Sequence, residues 1–494
     1  MLTIKKFLSI ADLIPEHLAV VESGTRSTDY SSLRSLAFRI AASIPQLQDR
    51  QTRVLIHLEQ SAYAYAAMFG ALLAGAVYCP VNLGLPTAKR QSILELFSPD
   101  IVIGGAECLK IGSQKHLIES PETEPTSSEE LPDVPSWKKS AYVIFTSGST
   151  GDPKGVEISR NALDHYVAWI GEFVAPTHMD RWSQHPSIGF DLSVMDIFGS
   201  LCYGATLYPV TQNTDRLMPS GFIKKHRLTI WNSVPSVVDQ MSATRQVSHE
   251  YLTSLRLMSF CGEPLFPHHL ESIFNAHPDL VVHQTYGPTE ATVSMTLLAL
   301  RKDNWRNHVA DRTVSLGHAI PGMGLWLVKD GQLNTIEGEI VLTGPQLATG
   351  YWRDPARSEL VFRDILFPNG TSQPAYWTGD WGKMFGNDLY FQARTDRQVK
   401  IHGYRLELDE IDAALRSVLR CPSVTVFVRE RLMSYIEVEP SLLNVSSLIL
   451  KLREILPLYA IPTYFQALVP LPRTSSDKID VQAINQIARS LGSL

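Results

Sequence analysis

Three features of the 494-residue chain predict an α/β fold: a large N-terminal unit, residues 1–394, built on parallel-rich sheets and helices, and a small α+β C-terminal unit, residues 395–494. Apolar helical stripes alternate with short β-type runs through the first hundred residues. Later β-type runs each end in a polar or glycine-containing segment. Beyond Asp396 the pattern turns to two amphipathic helices. The length exceeds what one hydrophobic core holds comfortably, which also favours a large domain with a smaller companion.

Leu33, Leu36, Ile40 and Ile44 recur at three- and four-residue spacing, so this segment reads as a helix with one buried stripe. A strand, RVLIHL, follows. The run from Tyr63 to Cys79 is almost wholly apolar, but Gly75 and Pro80 divide it into a buried helix and a strand, and it is too short to span a bilayer. Between Gly112 and Trp137 Ser, Pro, Glu and Thr dominate, a composition that buries too little apolar surface to fold alone, so an exposed loop is expected. Directly after it, AYVIFTSGSTGDPKG is a β-rich run that breaks into a Gly/Ser/Thr stretch. LTIWNSV, LRLMSFCG and LVVHQTYG read as further strands, which places candidate site residues at strand ends, where open α/β sheets bind ligands. Leu408, Ile411, Leu415 and Leu419 form one helical stripe opened by Asp409 and Glu410; a second helix is expected from about Ser447, stopped by Pro457.

Composition narrows the function classes. Hydrophobic residues make up 44%, charged ones 19%, and the net charge is −6, so a broad nucleic-acid surface, which needs a basic excess, is excluded. The five cysteines (Cys79, Cys108, Cys202, Cys261, Cys421) are scattered without CxxC spacing and read as reduced thiols of a cytoplasmic protein. The opening MLTIKKFLSIADLIPEHL is interrupted by Asp12, Pro15 and Glu16, so neither a signal peptide nor membrane insertion is expected.

The strongest local feature is Thr146-Ser147-Gly148-Ser149-Thr150-Gly151-Asp152-Pro153-Lys154-Gly155. Glycines let backbone N–H groups approach an anion, hydroxyls add donors and Lys154 adds fixed positive charge, a set that suits a polyphosphate. The GxxxxGK[ST] spacing is missing, so this is not a Walker loop. A flexible surface loop is the alternative, but ten such residues leaving an apolar strand favour the binding role.

TSGSTGDPKG resembles the phosphate-binding signature of the acyl-adenylating superfamily, which includes acyl-CoA synthetases, luciferases and peptide-synthetase adenylation domains. The likeness extends in order through FCGE, QTYGPTEATV, WTGDWG and FQARTDRQVKIHGYRLELDEID. It implies ATP and Mg2+ as cofactors, with Thr146 to Gly151, Lys154, Gly262, Glu263, Gln284, Thr285, Tyr286, Gly287, Pro288 and Thr289 around the nucleotide. In that likeness Tyr286 stacks on adenine, Thr289 contacts phosphate, Glu290 holds the metal, Asp380 and Arg394 lie at the ribose, and Asp396 is the pivot of a mobile C-terminal domain. Lys478 in LPRTSSDKID matches the near-terminal lysine that bridges carboxylate and phosphate, although Asp477 and Val481 depart from the usual pattern. A carboxylate attacking the α-phosphorus meets anion repulsion, so placed cations matter more than an acid–base pair.

GFDLSVMDIFGSLCYGATL resembles the segment that, in amino-acid-activating members, sets one Asp against the substrate ammonium; that residue is Asp191. The likeness is strongest to the members that load D-alanine on a carrier protein. Leu192 and Met195 then narrow the pocket, Cys261 sits beside the α-carbon and Val293 approaches the substrate. The implied reaction is adenylation of a small amino acid, D-alanine first, then transfer to the phosphopantetheine thiol of a separate carrier protein, since no LGGxS-type attachment signature follows Asp480. An enzyme for L-alanine, serine or a modified amino acid, and an acyl- or aryl-CoA synthetase, remain open. His268-His269 have no further ligand at metal spacing in the sequence, and His185 reads as a pocket wall.

Overall fold

The computed structural model describes residues 1–22, 26–105, 116–118, 139–148, 152–401, 403–474 and 478–491. Ser149, Thr150, Gly151, Cys108, Asp477 and most of the Ser/Pro/Glu/Thr segment lie outside them.

Two parallel-rich sheets carry the large unit. In the first, the strands Leu18–Val21, Thr206–Pro209, Arg181–Gln184, Ile230–Ser233, Leu257–Phe260 and Val281–Tyr286 are neighbours in that order, each pair parallel. Thr296–Leu300 pairs antiparallel with Val281–Tyr286, and the short strand His318–Ala319 lies beyond it. The second sheet aligns Ser140–Thr146, Val77–Pro80, Arg53–Ile56 and Ile101–Ile103 in parallel, with Lys154–Ser159 returning antiparallel beside Ser140–Thr146. The helix Ala62–Leu73 is buried on nearly every face, and its residues share one apolar cluster with residues of both sheets. That explains why the run from Tyr63 has no polar stripe: there is no solvent for one to face. Gly75, at φ +70°, ends the helix and the chain re-enters as Val77–Pro80.

The expectation of parallel-rich sheets holds for these two, and a third sheet adds an antiparallel layer. Gln332–Asn334, Gly324–Lys329, Glu337–Thr343, Ala375–Phe385 and Asp388–Arg394 pair as consecutive antiparallel neighbours. Short tight connections such as Asp330-Gly331 and Gly386-Asn387 permit that pairing without crossover helices.

After Asp396 the chain forms the hairpin Gln398–Ile401 with Tyr404–Glu407, the helix Leu408–Leu419 and a sheet of Ser423–Val428, Arg431–Ile436 and Tyr464–Ala467. Leu408, Ile411 and Leu415 are buried as their spacing predicts. The second helix is Val445–Arg453: Asn444 caps it by accepting the Ser447 N–H at 2.9 Å. It begins two residues before the expected Ser447 and stops four before Pro457, so the cap rather than the proline sets its bounds. Two apolar clusters drawn from residues after Asp396 give this segment its own core. Among the described residues no helix is long and apolar enough to cross a membrane.

Candidate active site

The phosphate-type loop leaves the C-terminal end of Ser140–Thr146, whose Ala141–Ile144 are buried in the second sheet, and returns through Lys154–Ser159 with Thr146 paired to Lys154. The turn is tight. A Cβ added at Gly148 would stand 2.2 Å from the Asp152 carbonyl oxygen, so only glycine fits. Lys154 reaches inward: Nζ lies 3.4 Å from the Tyr351 hydroxyl and 3.5 Å from Glu290 Oε1. Burial and the neighbouring Arg405 push its pKa down to about 8 against the pull of Glu290.

A cavity of ≈ 810 Å³ opens beyond the ends of the first sheet's strands. Leu257–Phe260 delivers Cys261, Gly262 and Glu263 to its wall, and Val281–Tyr286 delivers Gly287, Pro288 and Thr289. Gly262 takes φ +96°, and a Cβ on Gly287 would meet Val293 O at 2.7 Å, so both glycines are dictated by backbone geometry. Gln284, Thr285 and Tyr286 are buried in the strand itself; Thr285 Oγ1 donates to the Phe260 carbonyl at 3.0 Å. The Tyr286 hydroxyl donates to Asp380 Oδ2 at 2.6 Å. Asp380 also pairs with Arg394, whose Nε and Nη2 grip Asp396 at 2.7 and 2.8 Å. Asp380 and Arg394 line the same cavity as Asp191, so the structure gathers motifs spread over about 200 residues of sequence into one cleft.

Asp191 precedes the helix Leu192–Leu201 and faces the cavity, where its Oδ2 accepts from Thr289 Oγ1 at 2.7 Å. Loss of water raises its carboxyl above the usual carboxylate range, and the Thr289 bond opposes that rise. Leu192, Cys261 and Val293 share the wall. Thr292 and Val293 hold φ of +55° and +69°, an uncommon conformation for β-branched residues that sets the Val293 carbonyl 3.7 Å from the Cys261 thiol. Burial pushes that thiol's pKa up, consistent with a wall rather than a nucleophile. Met195, expected to narrow the pocket, is buried one layer behind it, its Sδ 4.0 Å from Ser259 Oγ. His185 lines the cavity with its pKa driven down to about 3 by burial and by Arg216, so it stands neutral against Trp231.

The expectation that His268-His269 lack a third ligand is corrected by the fold. Asp239, on the adjoining helix Ser236–Ala243, stands 3.1 Å from His268 Nε2 and 2.9 Å from His269 Nε2. The Phe266 N–H donates to His269 Nδ1 at 3.2 Å, which leaves the ring proton on Nε2, facing Asp239 and closing that nitrogen to a metal.

Sequence reasoning assigned no role to Arg405, although it lies inside the quoted HGYRLELDEID. Its Nη1 donates to Glu290 Oε2 at 2.6 Å, while Tyr351 donates to Oε1 at 2.9 Å. Burial alone would raise the Glu290 carboxyl; Arg405 and Lys154 outweigh it and hold the group ionised, well below the usual range. Glu290 does not line the cavity and both its oxygens are engaged here; with Arg405 withdrawn, the buried carboxylate would offer a hard oxygen donor that fits a divalent cation such as Mg2+. The hairpin that carries Arg405 covers the cleft: Gly403 N–H donates to Glu263 Oε1 at 2.7 Å, and Tyr404 meets Phe190 edge-on at 4.9 Å and stacks on Tyr459 at 3.6 Å. Lys478 is not brought to the cleft. It is exposed, its backbone N–H donating to Thr474 Oγ1 at 3.3 Å, and it lines neither the large cavity nor the smaller one of ≈ 100 Å³ beside it.

Residues 10–352 match the family described as AMP-binding enzyme. A D-alanine--D-alanyl carrier protein ligase of Listeria monocytogenes serotype 4a is 30% identical over 466 residues, 88% of this chain and 89% of the relative. The ligase of the same name from Staphylococcus aureus (strain Newman) is 29% identical over 501 residues, 98% of this chain and 99% of the relative. Among solved structures, the Vibrio cholerae adenylation domain AlmE, in complex with glycyl-adenosine-5'-phosphate, aligns with a TM-score of 0.83 at 25% identity, covering 99% of this chain and 98% of that one. With its strand-end glycines and Asp191 on one cavity, and Thr146 and Ser147 on the smaller pocket beside it, this chain belongs to the AMP-binding enzyme family.

Proposed function

We propose that this enzyme adenylates a small amino acid, D-alanine first, releases pyrophosphate, and passes the acyl group to the phosphopantetheine thiol of a separate carrier protein. The observation that carries the amino-acid part is Asp191: a carboxylate set in an apolar wall of the cavity and shared with Thr289 attracts an ammonium group strongly because little water screens it. A fatty or aryl acid gains nothing from it. The relatives' names support D-alanine and a carrier protein as partners.

In the first step the loop from Thr146 to Lys154 binds the phosphates, Tyr286 and Asp380 with Arg394 orient adenine and ribose, and Asp191 holds the ammonium so that the substrate carboxylate faces the α-phosphorus. Glu290 is the residue that would hold Mg2+, which supplies charge neutralisation along the phosphates. Lys478 reaches this cleft only after the C-terminal unit turns about Asp396; there its ammonium offsets the charge that builds between carboxylate and phosphate as the acyl–O–P bond forms and pyrophosphate leaves. In the second step the unit stands as in this structure, Lys478 outside and the Gly403 hairpin over the cleft. The thiol sulfur attacks the acyl carbon, a thioester forms, the thiol proton passes to solvent and AMP departs. Leu192, Cys261 and Val293 line the same cavity as Asp191, an apolar set that suits a short aliphatic side chain.

Amino-acid-dependent ATP–pyrophosphate exchange tests this directly, with both alanine enantiomers, glycine, serine, β-alanine, fatty acids and aryl acids in one panel. D-Alanine is expected to give the highest kcat/KM; exchange with fatty or aryl acids and none with any amino acid overturns the reading.

A further inference from the structure

Glu290 and Arg405 carry an inference that rests on this two-step reading and deepens it. Arg405 belongs to the strand Tyr404–Glu407, 115 residues along the chain from Glu290, yet its Nη1 donates to Glu290 Oε2 at 2.6 Å. The other oxygen, Oε1, accepts from Tyr351 at 2.9 Å and stands 3.5 Å from Lys154 Nζ. Both oxygens of a fully buried carboxylate are thereby engaged, and one is engaged by a residue of the small unit. The same segment is tied down at three more points. Ser147 Oγ donates to the Arg405 carbonyl at 2.6 Å, Gly403 N–H donates to Glu263 Oε1 at 2.7 Å, and Lys89 of the helix Thr87–Phe97 pairs with Glu410 of Leu408–Leu419.

A guanidinium and a divalent cation that seek one carboxylate oxygen repel each other strongly where water is scarce, so they exclude one another at Glu290. We propose that Arg405 is a positioning residue for the thiol step: it clasps Glu290 when that carboxylate carries no metal, and so holds the small unit with its hairpin over the cleft and Lys478 outside. Glu290 then has two successive partners, and losing the first is what admits the second. Arg405 lines both cavities of the site, and its part in the thiol step is to fix the orientation of the unit that carries it. The Lys89–Glu410 bridge supports the same orientation from outside the nucleotide cleft.

Spin labels on the exposed face of the large unit and on the helix Val481–Leu491 report the distance between the two units. In the full-length chain without nucleotide a single docked distance is expected, and ATP with Mg2+ shifts the population away from it. Arg405→Gln is expected to lose the docked population without nucleotide. It should slow single-turnover transfer from preformed alanyl-adenylate to pantetheine by about tenfold or more. Arg405→Lys should restore part of both losses, and Glu410→Gln should move the distance in the same direction by a smaller amount. Arg405→Gln with an unchanged docked distance and unchanged transfer overturns the clasp. If no amino acid supports exchange in the parent chain, the substrate reading fails instead, and the label distances still decide the clasp.

Discussion

The sharpest expectations concern single side chains whose charge the cavity has altered. Asp191 loses water and gains one hydrogen bond, so its carboxyl titrates above the usual range. Below that raised pKa it is neutral and no longer attracts an ammonium; amino-acid affinity should therefore fall as pH drops through it. The acid limb of kcat/KM in pyrophosphate exchange should vanish in Asp191→Asn, whose kcat/KM should be lower by roughly 10- to 150-fold at neutral pH, the value of one charged hydrogen bond. An unchanged profile would remove Asp191 from the ammonium site. Cys261 was legible in FCGE, but its packing against the Val293 carbonyl was not, because that contact depends on two positive φ angles that side-chain types do not announce. Nor did the sequence place Asp239 beside the two histidines, since a helix-to-helix contact brings it there.

Elements explain how these groups are held and what breaks them. Gly403 turns the hairpin at φ +79°, and a Cβ there would stand 2.3 Å from Val234 Cγ1. Gly403→Ala should therefore keep the hairpin from seating, slowing thiol transfer roughly tenfold or more while sparing pyrophosphate exchange, as strain of about 1–3 kcal/mol implies. Equal loss in both half-reactions would contradict this. Further from the cleft, Asp100 just before Ile101–Ile103 accepts from both Arg50 Nη atoms at 2.6 Å and from the Arg53 N–H at 2.9 Å. Despite partial burial, these arginines lower its pKa strongly. A depressed folded pKa means stability that is present above the unfolded carboxylate pKa and is lost as pH falls through the folded one. Asp100→Asn should cost about 2 kcal/mol in urea unfolding at neutral pH, and the two chains should converge in acid.

On the scale of the whole molecule, the two half-reactions are expected to respond separately to lesions in the small unit. Lys478→Ala should lower pyrophosphate exchange on the order of 100-fold or more while ATP binding by calorimetry persists, since the role proposed for the lysine is in the transition state rather than the ground state. Transfer from supplied adenylate should survive it, the reverse of the Gly403→Ala pattern. If Lys478→Ala exchanged normally, the lysine's assignment would fall. The sequence by itself determined the α/β class, the strands that end in the site and the family, because each is written in neighbouring residues: apolar periodicity and an ordered set of short motifs. The antiparallel third sheet, the layer behind the pocket that holds Met195, the partners of Glu290 and the position of Lys478 outside the cavity were decided by tertiary structure alone. Those depend on which surfaces meet across hundreds of residues, and a buried ion pair such as Arg405 with Glu290 leaves no local pattern, since either residue alone reads as an ordinary surface charge.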